Sequence, residues 1–70
     1  MSIVAKIGME FTHARLLNAG NSPLRCRITA IRNGRVYWRQ VMPDGTLGMA
    51  MYCAADSFTE KVGTVLSEAP

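Results

Sequence analysis

The stretch CRITAIRNGRVYWRQ, residues 26–40, constrains the fold most, because it alternates apolar and polar residues on both sides of an Asn-Gly pair. Alternation with a period of two is typical of strands that bury one face. An Asn-Gly pair tolerates the left-handed backbone that tight hairpin turns require. The sequence therefore predicts two antiparallel strands, Leu24–Ile31 and Arg35–Met42, joined at Asn33-Gly34.

The length of this turn decides which side chains share a face, because a slip of one residue turns a strand over. With a two-residue loop, Ile28 would lie opposite Arg39, and the guanidinium would enter an apolar row. With one residue more, and Gly34 left-handed in a bulge, Ile28 lies opposite Trp38 instead. Because burying an unpaired guanidinium costs several kcal/mol, we predict the bulged register.

The bulged register gives the hairpin one apolar and one basic face. The apolar face holds Leu24, Cys26, Ile28, Ala30, Val36 and Trp38. The basic face holds Arg25, Arg27, Thr29, Ile31, Arg35, Tyr37 and Arg39, with Arg32 at the turn. Trp38 is therefore expected in the core of the protein.

Three more strands are predicted from the same period, at Ile3–Phe11, Thr46–Cys53 and Val62–Leu66. In the second of these, Leu47, Met49, Met51 and Cys53 are expected to face one way and Thr46, Gly48, Ala50 and Tyr52 the other. THARLL, residues 12–17, is either a short helical turn or a loop. AADSFTEKV, residues 54–62, predicts one or two helical turns, of the 3₁₀ type if they are short.

Seventy residues form a single domain, residues 1–70. Five short strands with a helical turn before the last predict an all-β protein, specifically a small SH3-like barrel. An OB-fold is less favoured, because it usually needs a longer chain and a helix between its third and fourth strands. A core this small often depends on oligomerisation, so a homo-oligomer is expected.

The charges are unevenly distributed along the chain. Residues 11–43 contain six arginines and no acid, whereas residues 44–70 contain four acids and one lysine, which gives +6 and −3. This asymmetry suits an anionic partner or self-association. Lys6 and Glu10 interrupt the apolar N-terminal stretch, so we expect neither a signal peptide nor a membrane span, and a cytoplasmic location. Cys26 and Cys53 are expected to be buried free thiols.

Nothing in the sequence predicts catalysis, a metal site or a cofactor. His13 is the one histidine, and a lone loop histidine is expected to be exposed. No serine has a base and an acid at a supporting spacing, and no glycine-rich phosphate loop is present. Two cysteines and one histidine also lack the paired spacing of a structural zinc site.

The strongest candidate site is the basic hairpin face, which consists of Arg25, Arg27, Arg32, Arg35, Tyr37 and Arg39. Arginine binds phosphate and stacks on bases, so nucleic-acid binding is one hypothesis. Arginine and tyrosine are also enriched in protein-binding hot spots. The Gly48/Ala50 surface and the cluster of Met42, Met49 and Met51 offer further adaptable contacts, and an open sheet edge would allow self-association.

GMEFTHARLL followed by the arginine-rich hairpin ITAIRNGRVYWR resembles small uncharacterised proteins of bacteriophages and mobile elements. The matching stretches cover residues 7–17 and 24–39. The resemblance implies an SH3-like barrel and a phage or mobile-element origin, and small proteins of that origin often bind host components. We therefore expect a non-enzymatic module that binds a host protein or a second copy through its Arg/Tyr face, with nucleic-acid binding as the alternative.

Overall fold

The structure is a computed structural model that describes residues 3–68, and it consists mainly of one antiparallel sheet. A 3₁₀ turn (Ala55–Ser57) and a short helix α1 (Phe58–Lys61) precede the last strand. The strands are β1 (Glu10–Leu17), β2 (Pro23–Arg32), β3 (Arg35–Val41), β4 (Leu47–Ala54) and β5 (Val62–Ser67). The predicted small all-β fold with five strands and one short helical segment is confirmed.

The strand order is β4-β3-β2-β1-β5, and every neighbouring pair is antiparallel. Strands β4 and β5 are the two edges, and no ladder joins them among the described residues. The sheet is therefore open between β4 and β5. The helical segment connects these two edges and places Phe58 in the core.

The first strand lies later in the chain than its apolar alternation predicts. Residues 3–9 contain a turn in which the Met9 N–H donates to the Lys6 carbonyl at 3.0 Å and Gly8 has a φ of 90°. This turn ends the alternation, so Met9 is buried whereas Ile7 is 60% exposed. The segment predicted as a helical turn or loop, residues 12–17, is instead the C-terminal part of β1.

The hairpin combines the two registers that the sequence offers. At the turn, Arg32 lies opposite Arg35 with a two-residue loop, and Asn33 and Gly34 both have positive φ. Farther along, Ile28 lies opposite Trp38, as predicted. The register shifts between Ile28 and Ala30. The bulge therefore exists, but it lies within β2 rather than in the turn, because Asn-Gly can form the tight two-residue turn.

This displaced bulge changes the faces of two residues. Ala30 lies opposite Tyr37 and Ile31 opposite Val36, which reverses the predicted assignment of both. Residues paired across a ladder share a face, so Ala30 joins the basic face. Ile31 lies on the apolar side at the end of the strand, where it remains 39% exposed.

The core lies on the apolar side of the sheet and is centred on aromatic side chains. Trp38 is 2% exposed, and its ring lies 5.7 Å from that of Phe11 in an edge-to-face arrangement. Phe58 packs 5.3 Å from Phe11, between the sheet and the helical segment. Cys26 and Cys53 are both buried free thiols, as predicted. The other buried apolar side chains are Met9, Leu24, Ile28, Val36 and Val41.

Strand β4 departs from its expected two faces. Cys53 is buried and Met51 packs against the core, but Met49 is 66% exposed. The surface beside Gly48 is also not empty, because the Met42 sulfur lies 3.0 Å from the position of a Cβ there. The predicted shallow surface is therefore partly filled by a neighbouring methionine.

Candidate functional site

The outer face of the sheet is built from rows of residues that face one another across the strands. One row runs from Glu10 on β1 through Arg27 and Arg39 to Ala50 on β4. A second row pairs Tyr37 on β3 with Tyr52 on β4. The ladders thus place the predicted arginines and Tyr37 on one surface, but they divide it into two chemically different halves.

In the first half, Glu10 binds two arginines of β2. Arg25 donates from Nε and Nη2 to Oε1, at 3.0 and 2.5 Å. Arg27 donates in the same way to Oε2, at 2.9 and 2.7 Å. Each carboxylate oxygen therefore accepts two charge-assisted hydrogen bonds. We call these three residues the Glu10 triad.

The Glu10 triad reduces the positive charge of this part of the surface from two to one. The Glu10 side chain is only 13% exposed, whereas those of Arg25 and Arg27 are 55% and 37% exposed. The Arg25 and then the Arg27 guanidinium lower the pKa of the Glu10 carboxyl below its ordinary value, against a smaller opposing effect of burial. The carboxylate is therefore charged at neutral pH, and both arginines have an internal partner.

Arg39 is also engaged within the protein. Its Nε donates to the Gly48 carbonyl at 2.9 Å, and its Nη2 lies 3.5 Å from the Leu47 carbonyl. These carbonyls lie at the start of β4, where the β3–β4 register shifts between Arg39 and Val41. Arg39 thus satisfies backbone acceptors at an irregular part of the ladder.

The second half lies next to the Asn33-Gly34 turn. The Arg32 guanidinium lies 4.9 Å from the centre of the Tyr37 ring, and that of Arg35 lies 5.5 Å from the centre of the Tyr52 ring. The two rings are 5.6 Å apart and tilted by 30°. These distances are within the range of cation–π contact. We call these four residues the Arg/Tyr cluster.

No carboxylate neutralises the Arg/Tyr cluster among the described residues, since both salt bridges there belong to Glu10. Tyr52 is 61% exposed. The positive charge also reaches the Tyr37 hydroxyl, whose pKa is lowered by the Arg35 guanidinium first and by Arg32 to a smaller extent. The cluster therefore presents two cations and the Tyr52 ring to solvent, while the Tyr37 ring is half-buried beside them.

Sequence reasoning missed two residues of this surface, Glu10 and Tyr52. Glu10 has the outward parity of the predicted first strand, so pairing that strand with β2 would have placed an acid beside the arginines. Tyr52 has the outward parity of its predicted strand, and its pairing with Tyr37 depends on the register between β3 and β4. Both residues reach the surface from strands that flank the hairpin, so the order of the strands is needed to place them there.

His13 differs from its prediction as an exposed loop residue. It lies on β1, is buried at 8% exposure, and its Nδ1 accepts hydrogen bonds from the Arg15 and Leu16 N–H groups, both at 3.1 Å. An Nδ1 that accepts is unprotonated, so the imidazole is neutral. Burial, with smaller effects of Lys61 and Arg15, lowers the pKa of His13. This histidine stabilises the backbone where β1 loses regular pairing with β2 between Thr12 and Leu17.

Other parts of the described chain offer less chemistry. Within residues 3–68, no group of three or more His, Cys, Asp or Glu side chains is arranged to hold a metal ion. Burial raises the pKa of the Cys26 thiol to about 11, which disfavours the reactive thiolate. One groove of about 510 Å³ lies between the loop at residues 18–22 and the end of β3. Its charged lining residue is Arg25, which already belongs to the Glu10 triad.

The described residues contain no helix long and apolar enough to cross a bilayer. Comparison of the chain with protein-family models, curated proteins and solved structures finds no match. The resemblance to proteins of phages and mobile elements therefore remains a prediction.

Proposed function

We propose that the protein is a non-enzymatic binding module that recognises an acidic segment of a partner protein through the Arg/Tyr cluster. One observation carries this proposal. Arg32 and Arg35 lie over the rings of two neighbouring tyrosines, the half-buried Tyr37 and the exposed Tyr52, and no carboxylate within the described residues forms a salt bridge with them. Arginine and tyrosine are among the side chains most enriched in protein-binding hot spots.

The arrangement suits a carboxylate with an apolar neighbour. A carboxylate can accept two parallel hydrogen bonds from a guanidinium. The tyrosine rings offer a large contact surface that loses little conformational freedom on binding. The proposed ligand is therefore a peptide segment in which Glu or Asp alternates with apolar residues.

Protein binding is favoured over nucleic-acid binding because few of the arginines are available. Arg25 and Arg27 bind Glu10, and Arg39 donates to backbone carbonyls. A nucleic-acid surface gains most of its affinity from several phosphate contacts. It also stacks bases on open aromatic faces, whereas here a guanidinium already lies against each ring.

The test is binding of a fluorescent peptide of alternating Glu and Leu residues, measured by anisotropy beside short duplex and single-stranded DNA at several salt concentrations. We expect peptide binding, and DNA binding only at low salt. Arg35→Gln should weaken peptide binding about tenfold, the effect of losing one hot-spot contact. Arg15→Gln is the matched control, because it removes the same charge from an exposed position of β1 outside the cluster.

Equal losses from the two variants would mean that net charge alone attracts the peptide, which would contradict the proposal. Tighter binding of DNA than of peptide at physiological salt, with a slope of several phosphates, would favour the nucleic-acid alternative. Circular dichroism of each variant establishes that the sheet is intact.

A further inference from the structure

Strand β5 is an edge strand without the features that usually protect such an edge. Within residues 3–68 it pairs only with β1, and its sequence VGTVLS contains no charge and no proline. All its residues after Val62 are exposed, including Val65 and Leu66. Charged residues and prolines on edge strands normally prevent pairing with a second chain. The outer edge of β5 is therefore open to another strand.

The charges at the ends of β5 indicate what that strand would be. Lys61 immediately precedes β5 and Glu68 immediately follows it. Neither forms a salt bridge within residues 3–68. If two copies of β5 pair antiparallel, the Lys61 end of each lies beside the Glu68 end of the other. A single interface then brings together two opposite-charge pairs.

The other edge strand, β4, lacks this complementarity. Asp44 precedes β4 and Asp56 follows it, so antiparallel pairing of two β4 strands would bring acids together at both ends. Pairing β5 of one copy with β4 of another is also less suitable, because the two strands run in the same direction within the sheet. It would set one favourable pair, Lys61 with an aspartate, against one unfavourable pair, Glu68 with the other aspartate, and would leave edges that continue the assembly.

We propose that β5 is a self-association edge, at which two copies pair antiparallel about a two-fold axis and continue the sheet from one protomer into the other. Pairing Lys61 with Glu68 places the two-fold axis between Thr64 and Val65, the residues that pair with Thr12 and Phe11 of β1 between two register shifts. The dimer carries two Arg/Tyr clusters. Each cluster lies on β2–β4 of its protomer, toward the edge farther from the β5 interface. This inference does not rest on the proposed function, because β5 contributes nothing to that cluster.

The test is sedimentation equilibrium of the full chain and of charge-reversed variants over a wide concentration range. We expect a concentration-dependent dimer. Lys61→Glu and Glu68→Lys should each weaken the dimer about tenfold, since either change makes both cross-strand pairs repulsive. The double variant K61E/E68K should restore the dissociation constant to near that of the unmodified chain. The single changes shift net charge in opposite directions, so a general charge effect cannot weaken both.

A second variant, Leu66→Lys, places a charge on the outer part of β5 and should also weaken the dimer. Leu66 is half exposed, so this change leaves the core intact. Arg35→Gln should leave the dimer unchanged, which separates this test from that of the Arg/Tyr cluster. A monomer at every concentration, a dimer insensitive to both single reversals, or a double variant that fails to recover would each overturn the proposal.

Discussion

The Glu10 triad and the Arg/Tyr cluster use similar cations on one face of the same sheet, yet their surroundings differ. Arg25 and Arg27 share a carboxylate, which reduces their combined charge and fixes their guanidinium groups. Arg32 and Arg35 lie against tyrosines instead and have no acid partner within the described residues. The comparison teaches that the strand opposite an arginine decides whether its charge supports the fold or remains available for a partner.

The largest effect on stability is expected from a substitution in the core, because unfolding would abolish the Glu10 triad and the Arg/Tyr cluster together. Trp38 lies behind the basic face and contacts Phe11 and Phe58. Trp38→Ala should lower the free energy of unfolding by about 3–5 kcal/mol, enough to unfold a domain of this size. Urea denaturation followed by circular dichroism measures the change. Trp38→Phe, which retains a ring, should cost less, and an alanine variant with an unchanged midpoint would refute the central position of Trp38.

Removing the Glu10 carboxylate should affect the Glu10 triad and leave the Arg/Tyr cluster unchanged. Glu10→Gln should lower the free energy of unfolding by about 1–2 kcal/mol, because one carboxylate accepts four charge-assisted hydrogen bonds from two guanidinium groups and is not a simple surface pair. It should also strengthen binding to DNA, since Arg25 and Arg27 lose their internal partner. Glu60→Gln is the control, because it removes an exposed acid from α1 that forms no salt bridge within residues 3–68. If Glu10→Gln and Glu60→Gln changed the free energy of unfolding and DNA binding equally, the triad would contribute no more than an ordinary surface acid.

Lowering the pH should destabilise the protein in the same way as Glu10→Gln, because it protonates the Glu10 carboxylate. The pKa of Glu10 is lowered in the folded state from its ordinary value of 4.5. The stabilisation is therefore complete above about pH 4.5 and is lost as the pH falls through the lower folded value. Urea denaturation at a series of pH values should show this loss in the unmodified chain but not in Glu10→Gln. Parallel curves for the two proteins would contradict the assignment.

His13 should add a second pH dependence of the free energy of unfolding, nearer neutrality. The pKa of its imidazole is lowered by burial from an ordinary value of 6.5. The unfolded chain therefore takes up a proton first, and stability falls as the pH drops below about 6.5 until the folded value is reached. His13→Asn removes the titration, and its side-chain oxygen can accept the same two N–H groups. A chain whose stability is constant over this range would contradict this account.

The smallest effect on stability should come from the second half. Tyr52→Ala removes a largely exposed ring, so the free energy of unfolding should change by only about 0.5 kcal/mol. Binding of the acidic peptide should nevertheless weaken about tenfold, the loss typical of a hot-spot residue. Met49→Ala serves as the control, since Met49 is similarly exposed on the same strand and lies outside the cluster. Equal binding by the two variants would remove Tyr52 from the proposed site.

Much of the fold could be predicted from alternation and turn chemistry. The hairpin, the buried Trp38 and the short helical segment followed from local patterns. Alternation failed where a turn interrupts it, as at Gly8, and where a bulge shifts one strand, as between Ile28 and Ala30. These irregularities depend on packing against neighbouring strands, which a local pattern does not encode.

The candidate site could be predicted only in part, for a related reason. The arginines and Tyr37 lie within one hairpin, so their common face followed from local spacing. Glu10 and Tyr52 reach that face from β1 and β4, through ladders on either side of the hairpin. Which arginines have an internal partner is therefore a property of the strand order.

The most direct measurement is a titration of the isotopically labelled chain with the acidic peptide, followed by ¹H–¹⁵N correlation spectra. Binding to the Arg/Tyr cluster predicts the largest chemical-shift changes at the backbone amides of Arg35, Tyr37 and Tyr52. The amides of Arg25 and Arg27 should change little, because Glu10 already occupies their guanidinium groups. Changes centred on Arg25 and Arg27, or none on addition of peptide, would contradict the division of this surface into a structural and a binding half.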